Sequence, residues 1–312
     1  MKYSGIGGQA VMEGVMMRNG KKYATSVRKP DKTIETSIQE SGPVDTIWHK
    51  IPIIRGVINF VDSLVIGMKT LTYSASFFED EEEENDKKKK PKKELTEEQK
   101  AKREKAEMGG TVMLSLVLAL GIFFVLPYYI SAFLNRYIDN DYLMALIEGV
   151  LRLAIFIGYV IAIRQMEDIK RTFMYHGAEH KCINCIEAGD DLVVENVRKA
   201  SRQHKRCGTS FIFIVMLISI FVFMLIRFDT VWLKLVCRLL LIPVIAGVSY
   251  EFIRLAGRTE NKVVGFLSKP GMWVQNMTTA EPTDDMIEVA IASVEAVFDW
   301  KEFVKEVRED NK

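Results

Sequence analysis

Histidine and cysteine are scarce in this sequence, at four each in 312 residues. Four unevenly spaced cysteines do not make the disulfide framework of a small secreted domain. An excess of charge is also missing. The chain has 42 Lys and Arg against 41 Asp and Glu, which leaves no electrostatic basis for holding nucleic acid. The opening, MKYSGIGGQAVMEG, has neither an apolar h-region nor a small-residue cleavage site, so the first stretch is expected to stay in the cytoplasm. Gly5, Gly7, Gly8 and Gly14 surround Gln9, Met12 and Glu13 without a Gly-Lys-Ser/Thr and before no clear helix. They predict tight turns rather than a phosphate loop.

What the sequence does contain is apolar residues in long runs. They form 48% of the chain, and four runs, 111–134, 143–163, 211–228 and 232–252, are each long enough to cross a bilayer. The lysine-rich run before the first places that side in the cytoplasm by the positive-inside rule. Counting across, 164–210 and the tail are cytoplasmic too, and both are basic, whereas the two outer loops carry only Arg136. The fold class expected is mainly α: a polytopic plasma-membrane protein with both termini cytoplasmic. It has four transmembrane helices, a membrane-associated amphipathic helix and a small α+β cytosolic metal-binding domain. That domain draws on the N-terminus, the loop between spans two and three, and the tail.

Taken in order, 1–47 is an N-terminal module with a β-hairpin over 23–28 and 33–39 and a turn at Pro30-Asp31. In 48–78 an apolar helix carries Arg55, Asp62 and Lys69 at intervals of seven, with Asn59 and Ser63 nearby, so its polar residues trace one stripe. Basic flanks favour a helix lying on the cytoplasmic face or packed on the others, with a fifth span as the alternative. The charge run 79–107 is a solvated linker, helical near its end. Transmembrane hairpins at 108–163 and 209–253 bracket the loop 164–208. The tail 254–312 closes on one amphipathic helix, 284–307, capped by Thr283. Inside the spans, Glu148 and Arg152 stand four residues apart, and Arg238 lies in the fourth. Intramembrane charges are functional candidates by default, and an i,i+4 pair that fixes packing is the structural reading. Pro127 and Pro243 predict kinks.

Three of the four histidines and three of the four cysteines fall within 175–209. A bound metal explains this clustering more economically than buried cysteines beside ordinary surface histidines; the remaining His49 and Cys237 stand apart. Two constellations overlap. His176 and His180 are four apart on a helix with Glu179 beside them, the H-x-x-E-H order in which Glu179 is the catalytic general base of a metal-dependent hydrolase. Cys182-x2-Cys185 and, eighteen residues on, His204-x2-Cys207 match a closed four-ligand site whose soft thiolates favour Zn2+ or another divalent transition metal. Six ligands exceed what one tetrahedral ion uses, so one site or two, structural or catalytic, stay open at this level.

The motifs GGQAVMEGVMMR, IPIIRGV, YHGAEHKCINC, HKRCGTSF, IRLAGR, KPGMWVQ and TTAEP together resemble the YqhQ family (domain of unknown function 1385). These are bacterial multi-pass membrane proteins described as predicted metal-dependent enzymes. The resemblance covers nearly the whole chain except the charge run. It implies that His176, Glu179, His180, Cys182, Cys185, His204 and Cys207 belong to one site, and it brings Gln9, Glu13 and Arg18 to that site. Two functions follow: a hydrolase acting on a peptide-like or lipid-like substrate at the membrane, or a zinc-stabilised scaffold for a membrane-protein, secretion or quality-control partner. A solute carrier using Glu148, Arg152 and Arg238 is weaker, because no inverted repeat is visible. The bilayer is the expected partner, nucleic acid is not, and a homo-oligomer is compatible with all of these readings.

Overall fold

The computed structural model describes residues 2–42, 46–78, 97–138, 140–226, 230–259 and 261–310. Contacts divide the chain into one unit of Met1–Glu79, Val160–Val215 and Leu235–Lys312, and another of Asp80–Tyr159 and Met216–Lys234.

The first unit is built on an antiparallel meander in the order β1 (Gly7–Val11), β2 (Gly14–Asn19), β3 (Lys22–Arg28) and β4 (Ile34–Glu40). The expected hairpin is present as β3–β4. Its turn closes with Lys32 N–H on the Lys29 carbonyl and Thr33 N–H on the Asp31 carboxylate. The glycine-rich opening differs from expectation: it is a strand, and Glu13 takes the left-handed position (φ 48°) of the β1–β2 turn. Val15 and Met17 point into the main core with Tyr175, Ala178, Ile183, Met286 and Ile287, whereas Met16 and Tyr23 pack on Ile66 from the other side. A sheet covered on both faces reads as continuous rather than alternating hydrophobicity, which is why β2 carried no strand signal.

Helix α1 (Ile54–Ala75) covers one face of the sheet. The first part of its polar stripe turns inward, whereas Lys69 at its end is exposed. Arg55 pairs with Glu251, Asn59 donates to the Tyr250 hydroxyl (3.0 Å), Asp62 pairs with Arg18 (2.7 Å), and the Ser63 carbonyl accepts from Gln9 (3.2 Å). Val61, Leu64, Val65, Met68 and Leu71 remain exposed on the opposite side. Helix α1 is not among the four described helices long and apolar enough to cross a membrane, and those are Gly109–Leu134, Tyr142–Ile163, Gly208–Leu225 and Val236–Arg258.

These spans belong to α2 (Glu97–Leu120), a π-helical turn (Gly121–Val125), α3 (Leu126–Leu134), α4 (Asp141–Ile163), α7 (Gly208–Leu225) and α8 (Val231–Arg258). Between α4 and α7 lie α5 (Glu167–Ala188) and α6 (Val194–Lys199). The helical end of the charge run opens α2, and 79–96 lie outside the described residues. Pro243 sits inside α8.

In the second unit, Pro127 stands at the start of α3, directly after the π-turn. Having no N–H, it cannot serve the Phe123 carbonyl four residues back. Arg152 Nε donates to that oxygen instead (3.0 Å), while its Nη2 meets the Glu148 carboxylate (3.1 Å). Both side chains are buried. Glu148 and Arg152 are thus paired with each other, and Arg152 also reaches the π-turn.

The tail holds three helices: α9 (Lys262–Thr278), α10 (Asp284–Glu295) and α11 (Trp300–Asp310). The single helix expected over 284–307 is broken at 296–299. Asp299 accepts from Glu302 N–H (3.1 Å), and the Phe298 and Phe303 rings meet at 5.4 Å. An N-cap with an apolar pair flanking it starts a new helix more favourably than it continues the old one. Thr283 precedes α10 without a side-chain cap; its carbonyl accepts from Met286 and Ile287.

Candidate metal centre

Helix α5 runs through the middle of the first unit, with Tyr175 and 177–187 buried. It ends at left-handed Gly189, where Asp190 N–H returns to the Cys185 carbonyl (3.1 Å), the Schellman arrangement. On a helix, residues three and four apart share a face, so His176, Glu179 and His180 project together and their rings meet at 4.4 Å. The loop after α6 is laid along the same helix by its polar side chains. Lys181 Nζ donates to the Arg198 carbonyl (2.7 Å), Asn184 to those of Ser201 (2.6 Å) and Gln203 (2.9 Å), and His180 Nδ1 to that of Arg202 (2.6 Å). This path delivers Cys207 to the histidines. Its Sγ lies 3.2 Å from His176 Nε2.

His176, His180 and Cys207 each offer a ligand atom, all within 4.8 Å of one another. Both imidazoles are oriented for this. His176 Nδ1 faces the Thr278 carbonyl (2.9 Å) as His180 Nδ1 faces that of Arg202. A carbonyl only accepts, so Nδ1 carries the proton and Nε2 turns toward the thiol, the arrangement that outer-shell partners impose on metal-bound histidine. Two imidazoles and a thiolate suit zinc or a similar transition metal. Glu179 Oε2 sits 3.8 Å from His176 Nε2 and 3.7 Å from His180 Nε2. Burial opposes charge on His176, His180 and Cys207. The Cys207 thiolate and Glu179 nonetheless raise His176 to about 9, and the two imidazoles draw Cys207 well below the ordinary thiol range. The Thr209 N–H, in the first turn of α7, also faces the sulfur (3.4 Å).

The remaining expected ligands lie elsewhere. The four-ligand set of Cys182, Cys185, His204 and Cys207 is not assembled. Cys182 and Cys185 are buried in the apolar core with Ile183 and Ile186, where burial raises Cys182 well above the ordinary thiol range and Cys185 to about 12. Cys185 Sγ faces the Asp191 carbonyl (3.5 Å). A CxxC pair within a helix follows the helix, not a metal knuckle. His204 stacks 5.6 Å from His180, but its Nε2 looks to Glu187 (3.9 Å). Burial would raise the Glu187 carboxyl, yet His204, Arg206 (2.6 Å) and Ser4 (2.7 Å) bring it down to about 2. A cavity of about 520 Å³ opens beside His204 and Glu187, with Tyr3, Arg206 and Arg258 in its wall. Glu13 grips Arg171 (2.6 Å) and Tyr175 (3.2 Å) at the first half of α5. Gln9 and Arg18 engage α1 instead.

Several positioning residues carry no metal-ligand signature of their own. Gln275 clamps the His204 backbone from both sides, accepting from its N–H (2.8 Å) and donating to its carbonyl (2.7 Å). A side chain on Gly8 would lie 2.8 Å from Glu179 Cγ and 2.6 Å from the Met16 carbonyl, so only glycine lets β1 pass over the carboxylate. At Gly177 a Cβ would come within 2.1 Å of the Ala280 carbonyl, where the TTAEP segment crosses α5. Gly177→Ala is expected to destabilise the first unit by about 3 kcal/mol or to push the segment off the helix. Thermal unfolding in detergent would show it, and an unchanged midpoint would refute the close approach.

Residues 51–300 match the family model described as "Protein of unknown function (DUF1385)". The chain belongs to this family. It is 33% identical over 302 residues to "Uncharacterized protein YqhQ" of Bacillus subtilis (strain 168), which covers 92% of this chain and 90% of that protein. No solved structure matches. The family match spans α5, Cys207 and the TTAEP segment, whereas β1 to β4 precede it.

Proposed function

We propose that this membrane protein holds a zinc ion, or another divalent transition metal, on His176, His180 and Cys207, and that Glu179 serves as general base in a hydrolytic reaction at the membrane surface. The observation that carries the proposal is the pinning of both Nδ1 atoms by backbone carbonyls, which turns both Nε2 atoms toward one sulfur. A metal there supplies Lewis acidity that polarises a carbonyl or phosphoryl oxygen and makes water more acidic. The chain's own residues do the rest. Glu179 accepts the proton of the attacking water and returns it to the leaving group, while Thr278 and Arg202 keep the imidazoles in register. Peptide-like and lipid-like substrates both fit such chemistry. The enclosure of Glu179, 4% exposed under β1, favours a second reading, a closed site that staples the domain for a partner in membrane-protein assembly or secretion.

Glu179→Gln separates the two. With a general base, the variant retains its metal per chain while cellular function is lost. Unchanged function would sink the general-base role. Loss of both the metal and protease resistance would instead point to a staple. On this reading the basic segments 164–210 and 253–312 lie on the cytoplasmic side by the positive-inside rule, where thiols stay reduced. A fluorescent protein fused after Lys312 is expected to fold and emit, and a dark but intact fusion would reverse the topology.

A further inference from the structure

Helix α9 has two dissimilar faces. Ser268, Gly271, Val274, Gln275 and Thr278 are buried on one. Val263, Phe266, Leu267 and Trp273 line the other, each more than half exposed. The spacing of three, four and ten residues puts these four in one stripe. Such a stripe has to be covered by something.

Three of the four membrane spans end against or beside this helix. The span Val236–Arg258 stops four residues before Lys262, so the start of α9 lies within about 14 Å of its end even if the link were fully extended. Gln275 Nε2 donates to Ser210 Oγ (2.6 Å) in the first turn of the span Gly208–Leu225. Arg164, immediately after the span Tyr142–Ile163, donates to the Asn276 carbonyl (3.1 Å). A helix tied near both ends to the level at which spans leave the bilayer lies along the surface, not away from it. Lys262 and Lys269 flank the stripe, with Lys269 Nζ 5.9 Å from the Phe266 ring, as expected of lysines that keep an ammonium at the phosphate level over buried apolar neighbours.

We propose that α9 is an interfacial membrane helix whose Val263, Phe266, Leu267 and Trp273 side chains insert at the head-group boundary of the bilayer. The buried side of the same helix carries Gln275, which accepts from His204 N–H, and the Thr278 backbone carbonyl faces His176 Nδ1. The candidate metal centre is therefore tied to the helix that carries the exposed stripe. The inference rests on the membrane spans and stands whether or not the centre holds a metal.

The full chain, reconstituted in phosphatidylglycerol-containing vesicles with Trp273 as sole tryptophan (Trp48→Phe, Trp232→Phe, Trp300→Phe), tests it. Lipids brominated near the top of the acyl chain are expected to quench Trp273 at least about twofold, while aqueous acrylamide quenches it weakly. Quenching by acrylamide and not by bromolipid would overturn the proposal. Shielding from both would also overturn it and would point to a second copy of the chain on this face. A benzophenone photo-crosslinker at position 266, in otherwise native protein, gives an independent reading. Lipid adducts support insertion, whereas protein adducts or none contradict it. Metal content measured on the same preparations reports separately on the site.

Discussion

Cys207→Ala protein is expected to lose its metal, with affinity falling at least about 100-fold, more than the loss of an outer-shell partner costs. Cys182→Ala protein is expected to keep the metal. Both cysteines are buried and both stand in the same sequence cluster. Only Cys207 reaches His176 Nε2, at 3.2 Å, whereas Cys182 packs in the apolar core. Metal content after dialysis against a buffered zinc chelator distinguishes them. Retention by Cys207→Ala together with loss from Cys182→Ala would show that the Cys182–Cys185 pair forms the site instead. Cys182→Ala removes a small core side chain and is expected to cost only about 1 kcal/mol of stability, so its metal content can be read on folded protein.

The second large effect lies in the other unit. Arg152→Met is expected to destabilise the protein by roughly 3–5 kcal/mol, because it removes one half of the buried Glu148–Arg152 pair and the arginine donor to the Phe123 carbonyl. Adding Glu148→Gln is expected to recover part of that loss, since the carboxylate that faced the arginine goes with it. The cycle can be followed by detergent-solubilised thermal unfolding. Near-equal stability of wild type and Arg152→Met would mean that the arginine does not brace the Pro127 turn. A transport assay on the same variants would move independently of stability if these charges served a solute path.

Much of the architecture was legible because its determinants are local. Length and apolarity mark the four membrane-length helices, and Arg55 and Asp62 of the seven-residue repeat mark the inward polar face of α1, whereas Lys69, its third member, is exposed. The FDWKEF segment contained the signal that divides α10 from α11, an Asp N-cap between Phe298 and Phe303. The long amphipathic periodicity across it outweighed that signal. Strand β1 was not legible, because Gly-Gly-Gln-Ala-Val shows no alternation and Gly8 serves a close approach to Glu179 rather than a turn.

The sequence by itself determined that His176, Glu179 and His180 share a face, because the helical period settles it within one turn. It also determined that this face stands in a chain with four membrane-length helices. Which sulfur completes the group was decided only by tertiary structure. Cys182 lies two residues after His180 and still points into the core. Cys207 lies 31 residues from His176 and arrives because Lys181, Asn184 and His180 hold the intervening loop by its carbonyls. Nearness along a helix sets direction, and long-range hydrogen bonds set what meets there.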